Sequence, residues 1–543
     1  MAFDAVVIGA GHNGLVCGAY LARAGLRVAV LEQAAVLGGC STTEALLPAH
    51  PQFRFNHGAI DLAHIQGTPI LEDLELDRHG LRMIYHEPGW YFPFPDGTAI
   101  SIFRDLERTC QSIASVSEQD ADAYRRFNEV WQLVLDLMAP LDIGAPPRIS
   151  RLAGLAGLAG ARGEAIVQLL LSSPRDAALK WFRSPHMRGL IGWMGVQAGT
   201  PPDQPAAGLA LTQLALTHRL GVARAEGGMG GLCEALRRCL EHHGGVVRLD
   251  APVDEVLLDA GRRKVVGVRV GQERIDASIV VSSIDARRLF LGLIPQPVLD
   301  PVLHRRVAAT HTRGMSLFKV DVALSGQPQM PHPGSADGLT ASINLAPSLE
   351  HVEHAWAAYE RDEVADEPPI MCALPSILDA TLAPSGQHTL WLSQFNPVER
   401  WRRVGAGEVE ACADRMIEVF ARYAPGTEDL VIDRAITTPI DREAVTGNVG
   451  GNPFHIDMTV DQSLSFRPVV GLHRYETPVG GLFLSGSATH PGGGVTGMPG
   501  HNTAATVLAN RGNGNRPGSR PLRARAHELA LAARALRRLE AHV

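Results

Sequence analysis

The chain begins with the pattern of a strand, a glycine-rich turn, a helix and a second strand, and no other feature restricts the fold as much. Residues 4–8 form a short β-branched run, which is typical of a buried parallel strand. A helical apolar stripe runs over residues 14–24, and a second strand is predicted over residues 26–31. The turn between the first strand and the helix has the spacing GxGxxG, formed by Gly9, Gly11 and Gly14.

Each glycine of this turn, and the acid that follows, has a distinct physical task. The first glycine allows a tight turn, the second lets the backbone approach a pyrophosphate, and the third lets the helix pack on the strand. Glu32 ends the second strand, 21 residues after Gly11, where its carboxylate can accept hydrogen bonds from ribose hydroxyls and would repel the 2′-phosphate of NADP. The segment therefore predicts a dinucleotide site rather than a glycine-rich turn without a ligand.

A glycine doublet distinguishes between the two common dinucleotides. Gly38 and Gly39 follow Glu32 by six and seven residues, where they let the backbone come close to a ligand. The doublet resembles the one that follows the ribose-binding acid in FAD oxidoreductases. FAD is therefore favoured over NAD as the cofactor.

A second glycine-rich block continues the same kind of domain. The run from Gly227 to Gly231 predicts the start of a helix that ends near Leu240. Strands are predicted over residues 246–249, 253–258, 265–270 and 275–281. Taken singly, each strand also fits an ordinary antiparallel meander. Val253 lies where flavoproteins of this architecture commonly contact adenine through backbone atoms.

The third block joins a buried strand, which ends at Gly486, to a helix that begins near Gly497. Its glycine-rich loop leads into a helix start, where free N–H groups and a positive dipole end suit a pyrophosphate or the N1–C2=O edge of a reduced flavin. Gly486, Gly497 and Met498 are therefore predicted to contact the cofactor. No second strand and acid follow this loop, so a separate NAD(P) domain is not expected.

These blocks resemble the phytoene desaturase and carotenoid isomerase superfamily. The resemblance rests on Val-Val-Ile-Gly-Ala-Gly-His-Asn-Gly-Leu near the N-terminus, Gly-Gly-Met-Gly-Gly at residue 227 and Thr-His-Pro-Gly-Gly-Gly-Val-Thr-Gly-Met-Pro-Gly at residue 489. Gly-Asn-Pro-Phe-His-Ile-Asp-Met from residue 451 is similar to the branch of carotenoid ketolases and mitochondrial pyridine nucleotide-disulphide oxidoreductase domain-containing flavoproteins. The resemblance covers roughly residues 3–510 and is weak across the middle.

The resemblance implies an α/β fold in which a Rossmann-type FAD-binding domain is assembled from three chain segments and carries an inserted α+β substrate domain. The FAD-binding domain is predicted over residues 1–65, 223–289 and 446–510, and the substrate domain over 66–222 and 290–445.

Two histidines are candidates for a catalytic role. His57 lies in Phe-Arg-Phe-Asn-His-Gly, which matches the place where the superfamily often has Phe-Asp-Ala-Gly-Pro beside the isoalloxazine. Here His57 replaces a small residue and Ala59 replaces proline, so His57 is either a substrate-orienting group or a hydrogen-bonded scaffold residue. His490 precedes the glycine loop and would act as a base, polarise a substrate group or cap the helix.

Composition excludes several other classes. The formal charge of −7 argues against a nucleic-acid partner, because phosphate binding needs a positive field. The seven cysteines are scattered and never spaced CxxC, which argues against a dithiol-disulfide flavoenzyme and against a structural zinc site, so no metal is expected. With no signal-peptide pattern and no run long enough to span a bilayer, the sequence predicts a cytoplasmic protein.

The tail from residue 511 to 543 differs from the rest of the chain. It carries eight arginines and two glutamates, a net +6, whereas the remainder carries −13. Leu522, Leu529, Leu536 and Val543 recur every seven residues, as in a basic amphipathic helix that could lie on an anionic membrane surface at the inner face of a membrane. The alternatives are a helix that packs on the acidic body and a frayed terminus.

The resulting functional hypothesis is an FAD-dependent oxidoreductase whose substrate is a hydrophobic small molecule, an extended polyene or isoprenoid that undergoes desaturation, isomerisation or ketolation by hydride transfer at flavin N5. The alternatives are an amine-oxidase-like or other small-molecule flavin oxidase, and a non-enzymatic flavin-binding adaptor. The sequence leaves the oligomeric state open.

Overall fold

The computed structural model of the 543-residue chain describes residues 2–138, 142–146, 167–294, 299–313 and 316–512. The basic tail that the sequence predicts to be an amphipathic helix lies outside the described residues from position 513 onward. In the described ranges, no helix is long and apolar enough to cross a membrane.

The strands, numbered along the chain, are β1 (Ala2–Ile8), β2 (Val28–Leu31), β3 (Thr43–Glu44), β4 (Phe55–Asn56), β5 (Met83–His86), β6 (Trp90–Pro93), β7 (Ala99–Ile102), β8 (Val222–Ala225), β9 (Val246–Arg248), β10 (Glu255–Leu258), β11 (Val265–Val270), β12 (Glu273–Ser282), β13 (Leu317–Leu324), β14 (Ser342–Leu345), β15 (Ile370–Ala373), β16 (His388–Phe395), β17 (Val431–Thr437) and β18 (Leu482–Leu484).

The α-helices are α1 (His12–Arg23), α2 (Ile70–Asp73), α3 (Leu106–Ala114), α4 (Glu118–Met138), α5 (Pro174–Trp181), α6 (Pro185–Gly195), α7 (Thr212–Leu220), α8 (Gly230–His242), α9 (Ala286–Arg288), α10 (Pro301–Ala308), α11 (Ser335–Gly338), α12 (Leu349–Glu360), α13 (Val398–Trp401), α14 (Ala406–Tyr423), α15 (Pro439–Thr446) and α16 (Met498–Gly512).

The first sheet has the order β10-β11-β12-β1-β2-β9, and β18 pairs with β12. Strands β12, β1, β2, β9 and β18 are parallel, whereas β10, β11 and β12 form an antiparallel meander. The parallel strands β1, β2 and β18 are almost continuously apolar because helices and loops cover both faces of the sheet.

Three helices from distant parts of the chain cover one face of this sheet. Apolar residues of α1, α8 and α16 share one buried cluster with β1 and β2. Small residues let α1 approach its neighbours closely. A Cβ added at Gly18 would lie 2.6 Å from Leu240 Cδ1, and one added at Gly500 would lie 2.2 Å from the Asn13 carbonyl oxygen. These glycines therefore allow the close helix packing that joins the two ends of the chain.

The second sheet belongs to the inserted region and has the order β17-β13-β16-β15-β14-β6-β7. Its pairs are antiparallel except β14 with β6. One face packs on α14 through a cluster of apolar side chains that includes Phe318, Val320, Leu390 and Phe420. Helices α3 to α7 and α12 form another core with β6 and β7.

The predicted fold class is confirmed: the first sheet is a Rossmann-type sheet assembled from three chain segments, and a mixed α/β region is inserted between them. The residue boundaries that the sequence assigns to the two domains stay a prediction.

Candidate functional site

A cleft of about 750 Å³ lies where β1, β2 and β12 end. Its lining includes Gly9 and Gly11 after β1, Glu32 after β2, and Ser283 after β12. In open parallel sheets, ligands bind outside the carboxyl ends of the strands, at the point where the strand order reverses. The size also falls within the usual range of about 300–1,000 Å³ for small-molecule sites.

The glycine-rich turn leaves the start of α1 open toward this cleft. Gly9 has a φ of +96°, which favours glycine, and it turns the chain from β1 into the helix. A Cβ added at Gly14 would lie 2.1 Å from the Gly9 carbonyl oxygen, so Gly14 is required for packing. At Gly11 the nearest atom would be 4.0 Å away. No side chain caps α1 and its first turn holds no acidic residue, so its first N–H groups and dipole favour an anion.

Glu32 is a buried carboxylate that fastens the turn. Its two oxygens accept hydrogen bonds from the Ala10 N–H at 2.8 Å and the Ala34 N–H at 3.0 Å. Each carboxylate oxygen can accept a second hydrogen bond, so Glu32 retains acceptor capacity on the cleft side. The carboxylate thus holds the loop in place and is available to a hydroxyl group in the cleft.

The glycine doublet forms the other wall beside the turn. Gly38 and Gly39 have φ values of +115° and +57°, and the Gly38 N–H donates to the Ala10 carbonyl at 2.9 Å. A Cβ on Gly39 would lie only 3.6 Å from Gly11 Cα. Two glycine backbones therefore meet in this part of the cleft and leave room for a ligand to approach the main chain.

The second glycine block has a different environment, because neighbouring side chains occupy its N–H groups. Those of Gly227 and Gly228 donate to Asp379 Oδ2 at 2.8 and 3.2 Å. Those of Met229 and Gly230 donate to Asn56 and Thr43, both at 2.9 Å. The start of α8 is therefore closed by protein groups, unlike the start of α1.

His57 lines the cleft, is 4% exposed, and has no hydrogen-bond partner at either ring nitrogen. Burial, together with the nearby positive charges of Arg442 and Lys319, lowers the pKa of His57 to about 3. Glu44 Oε1 lies 3.8 Å from His57 Nδ1. His57 is therefore a neutral imidazole with one donor and one acceptor available to a ligand.

His490 lies deeper in the protein and is not among the residues that line the cleft. It is 1% exposed, it precedes a cis proline at position 491, and its carbonyl oxygen accepts a hydrogen bond from the Tyr475 hydroxyl at 3.0 Å. A catalytic role for His490 stays a prediction.

Four predicted cofactor contacts also lie outside the cleft lining and stay predictions. Val253 packs in the core on the face of the first sheet opposite α1. A Cβ on Gly486 would lie 2.8 Å from the Ser283 carbonyl oxygen, and one on Gly497 would lie 2.7 Å from Ile70 Cδ1. Met498 is 3% exposed and belongs to the core around α1.

Several residues that line the cleft were not singled out from the sequence as cofactor contacts, and they are His12, Asn13, Ser283, His455 and Ser487. His455 is distinctive because it is buried, has a φ of +65° and leaves Nδ1 without a hydrogen-bond partner. A positive φ at a residue other than glycine is a strained conformation that surrounding contacts must hold in place. The 451–458 motif was recognised only as a resemblance, and its strain has no sequence signature.

Arg467 holds the strained loop that carries His455. This fully buried guanidinium donates to the carbonyl oxygens of Phe454, Ile456, Asp457, Gln462 and Ser487 at 2.7 to 3.1 Å. Arg287 Nη2 donates to the carbonyl oxygen of His455 itself, at 3.3 Å. The loop is therefore fixed on both sides of His455, with its imidazole at the cleft.

Among the described residues, no group of three or more histidine, cysteine, aspartate or glutamate side chains is placed to hold a metal ion.

Comparison with known proteins agrees with this geometry. Residues 7–68 match the family model of the NAD(P)-binding Rossmann-like domain. Pyridine nucleotide-disulfide oxidoreductase domain-containing protein 2 of Rattus norvegicus is 32% identical over 93% of each chain. One of the limonene dehydrogenase polypeptides of Castellaniella defragrans is 26% identical over 94% of this chain and 95% of its own. The lycopene-forming phytoene desaturase of Pseudescherichia vulneris is 25% identical over 91% and 96%.

Solved structures share the overall fold. An oxidoreductase from Methanosarcina mazei has a TM-score of 0.60 at 18% identity and covers 93% of this chain and 99% of its own. Putrescine oxidase bound to putrescine has a TM-score of 0.58 at 19% identity and covers 94% and 99%.

Fold, cleft and relatives together define the class as the phytoene desaturase-like superfamily of FAD-type oxidoreductases. Within it, the chain belongs to the family of pyridine nucleotide-disulfide oxidoreductase domain-containing protein 2.

Proposed function

We propose that the cleft binds FAD and that the protein is an FAD-dependent oxidoreductase acting on an extended apolar polyene or isoprenoid. The observation that carries the cofactor assignment is the uncapped start of α1, which opens into a cleft bordered by Glu32 and two touching glycine turns. Phosphate groups favour such helix starts, and a ribose hydroxyl pairs with the carboxylate.

The residues present fit FAD. The N–H groups at the start of α1 and the open Gly11 would hold the pyrophosphate, and Glu32 would hold the adenosine ribose. His455 and Ser487 are polar groups of the distant glycine-loop region that face the same cleft. Bound FAD would supply an acceptor for a hydride from a substrate C–H bond.

The names of the relatives support an unsaturated, isoprenoid-like substrate. They include a limonene dehydrogenase polypeptide and phytoene desaturases, whose named substrates are apolar hydrocarbons. For such a substrate the protein has to exclude water and align one carbon, and it needs few polar groups for the chemistry itself. His57 stands at the cleft as a neutral imidazole, so it can accept a proton or orient a substrate group.

Anaerobic mixing of the FAD-loaded protein with candidate donors tests the proposal. Phytoene, prolycopene and limonene would be supplied in detergent, and putrescine and cyclohexylamine would serve as amine donors. We expect a polyene or terpene, and none of the amines, to bleach the oxidised flavin absorbance band. Bleaching by an amine, with peroxide on readmission of oxygen, would instead indicate a small-molecule oxidase. A flavin that no donor reduces would indicate a flavin-binding adaptor.

We also propose a peripheral membrane contact through the basic tail of a cytoplasmic protein. The net charge of +6 over residues 511–543, against −13 for the rest, supports attraction to anionic lipid. Flotation with vesicles containing phosphatidylglycerol should carry the full chain upward, and a chain ending at residue 512 should stay below. Equal flotation of the two chains would contradict a membrane role of the tail.

A further inference from the structure

The two faces of the second sheet have opposite character. The face toward α14 is apolar and belongs to a closed core. The other face turns toward residues 47–60 of the cofactor domain: Ala323 packs with Phe53 and Phe55, and Trp391 packs with Ile60. This second face therefore lies between the inserted region and the segment that carries His57.

Five polar side chains form a row on this buried face. Lys319 and Asp321 of β13 stand directly opposite Ser393 and Trp391 of β16, and Thr389 of β16 lies beyond them. All five are 2% exposed or less. Residues alternate between the faces of a strand, so the spacing of two places the row on one side.

Most of this row lacks hydrogen-bond partners within the described residues. Asp321 Oδ1, Thr389 Oγ1, Trp391 Nε1 and Ser393 Oγ are buried without one, whereas Lys319 Nζ pairs with Asp321 Oδ2. Buried polar atoms in folded proteins are nearly always paired with protein, water or ligand. A row of unpaired atoms is therefore evidence of a missing partner.

The neighbouring strand β14 shows that the sheet does not tolerate unpaired groups in general. Ser342 Oγ donates to Asp61 Oδ2 at 2.5 Å, and Asn344 Oδ1 accepts a hydrogen bond from Trp193 Nε1 at 2.8 Å. The unpaired atoms are thus concentrated on β13 and β16, nearest the cofactor cleft.

Arg442 and His57 connect the row to the cleft. Arg442 is fully buried, donates from Nη1 to the His57 carbonyl oxygen at 3.2 Å, and has no partner at Nε or Nη2. The positive charges of Lys319 and Arg442 both act on the His57 ring, which lines the cleft. The row and the cleft are therefore one continuous polar region.

The charge of this region favours an anionic oxygen. Lys319, Arg442 and Asp321 are completely buried and sum to a formal +1, while Glu44 at the cleft edge is partly exposed. Burial lowers the pKa of Lys319 to about 8, so this amine is still mostly protonated at neutral pH. A buried charge without a counter-charge is costly, and the unpaired donors of Arg442 and Trp391 lie beside it.

We propose that this face of the second sheet, together with Arg442 and His57, binds a carboxylate carried by the substrate. The substrate class is then an unsaturated isoprenoid or lipid acid rather than a pure hydrocarbon, an assignment that rests on the proposed function. The apolar chain extends from the carboxylate site, so the carboxylate fixes which carbon stands at the cleft.

Calorimetric binding of geranic acid and of its methyl ester tests the proposal, because the two share a carbon skeleton and differ in charge. We expect the acid to bind at least about tenfold more tightly than the ester, as one charge-assisted hydrogen bond of ~1.5–3 kcal/mol implies. Trp391→Phe and Ser393→Ala should each weaken acid binding about three- to tenfold. Trp401→Phe, the same change on the opposite face of the sheet, should leave it unchanged.

Equal affinities for acid and ester in the wild-type protein would overturn the proposal without any variant. So would a Trp391→Phe protein that binds the acid normally but has a shifted flavin reduction potential, because the row would then serve the cofactor. The titration needs no turnover, and the flavin content of the same sample is measured by absorbance. A sample without flavin therefore refutes the proposed function, whereas a flavin-loaded sample that does not prefer the acid refutes only the carboxylate site.

Discussion

Two glycine-to-alanine substitutions three residues apart separate a ligand role from a packing role. At Gly11 an added Cβ meets no atom closer than 4.0 Å, and φ is −65°, which alanine adopts freely. At Gly14 the added Cβ would lie 2.1 Å from the Gly9 carbonyl oxygen, a contact that the backbone must move to relieve. Gly11→Ala should therefore fold normally, and Gly14→Ala should not.

The magnitudes follow from opposing effects. In Gly11→Ala, the poorer N-cap costs about 1 kcal/mol and the stiffer unfolded chain returns about 0.4–1 kcal/mol, so the free energy of unfolding stays within about 1 kcal/mol of wild type. In Gly14→Ala, overpacking against a backbone oxygen costs about 1–3 kcal/mol or more. Losing one charge-assisted hydrogen bond to the pyrophosphate, about 1.5–3 kcal/mol, would weaken FAD binding in Gly11→Ala roughly 10- to 100-fold.

Urea denaturation of the flavin-free proteins and fluorescence titration with FAD measure the two effects separately. We expect Gly11→Ala to have a near-normal urea midpoint with weak FAD binding, and Gly14→Ala to have a lowered midpoint. Normal FAD affinity in Gly11→Ala would refute the placement of the pyrophosphate at this turn.

Three further predictions follow from buried groups near the cleft. Glu32→Gln leaves either Ala10 or Ala34 facing an amide NH₂ instead of an acceptor, so thermal melts should show a loss of about 1.5–3 kcal/mol and FAD titration a weaker affinity; an unchanged melt would contradict the two hydrogen bonds. Arg467→Lys keeps the charge but removes the planar fork of donors, and should cost at least about 3 kcal/mol by urea denaturation, with a normal midpoint as the contrary result. Folding lowers the histidine pKa from 6.5 to about 3 at His57 and about 4 at His455, so the unfolded chain binds more protons below pH 6.5 and stability falls with acidification, by about 1.4 kcal/mol per pH unit for each histidine. His57→Gln should therefore lose less stability than wild type between pH 7.5 and 5.5, and an equal loss would contradict a buried neutral imidazole.

The sequence predicted the cofactor-domain elements well because their patterns are local. Strands β11 and β12, predicted over 265–270 and 275–281, span Val265–Val270 and Glu273–Ser282. Helix α1 was predicted over 14–24 and spans His12–Arg23. A glycine turn that requires positive φ and a buried β-branched strand leave clear signals in a single sequence.

Other parts of the site depend on contacts between distant segments and had no such signal. The strained loop at His455 is held by Arg467, and its approach to Ser283 follows from tertiary packing. The glycine block at residue 227 had the composition of an open helix start, yet Asp379, a residue more than 150 positions away, occupies its N–H groups. The polar row on β13 and β16 becomes visible only when strand register and burial are known together.

The binding of FAD to the purified chain tests the central claim most directly. Flavin content per chain, followed by equilibrium titration of the flavin-free protein with FAD and separately with NADPH, measures whether the cleft at Gly11 and Glu32 is a flavin site. The account predicts one FAD per chain, saturable rebinding, and no competition by NADPH, whose 2′-phosphate Glu32 would repel. A protein that carries no flavin, does not rebind FAD and binds NADPH instead would contradict it.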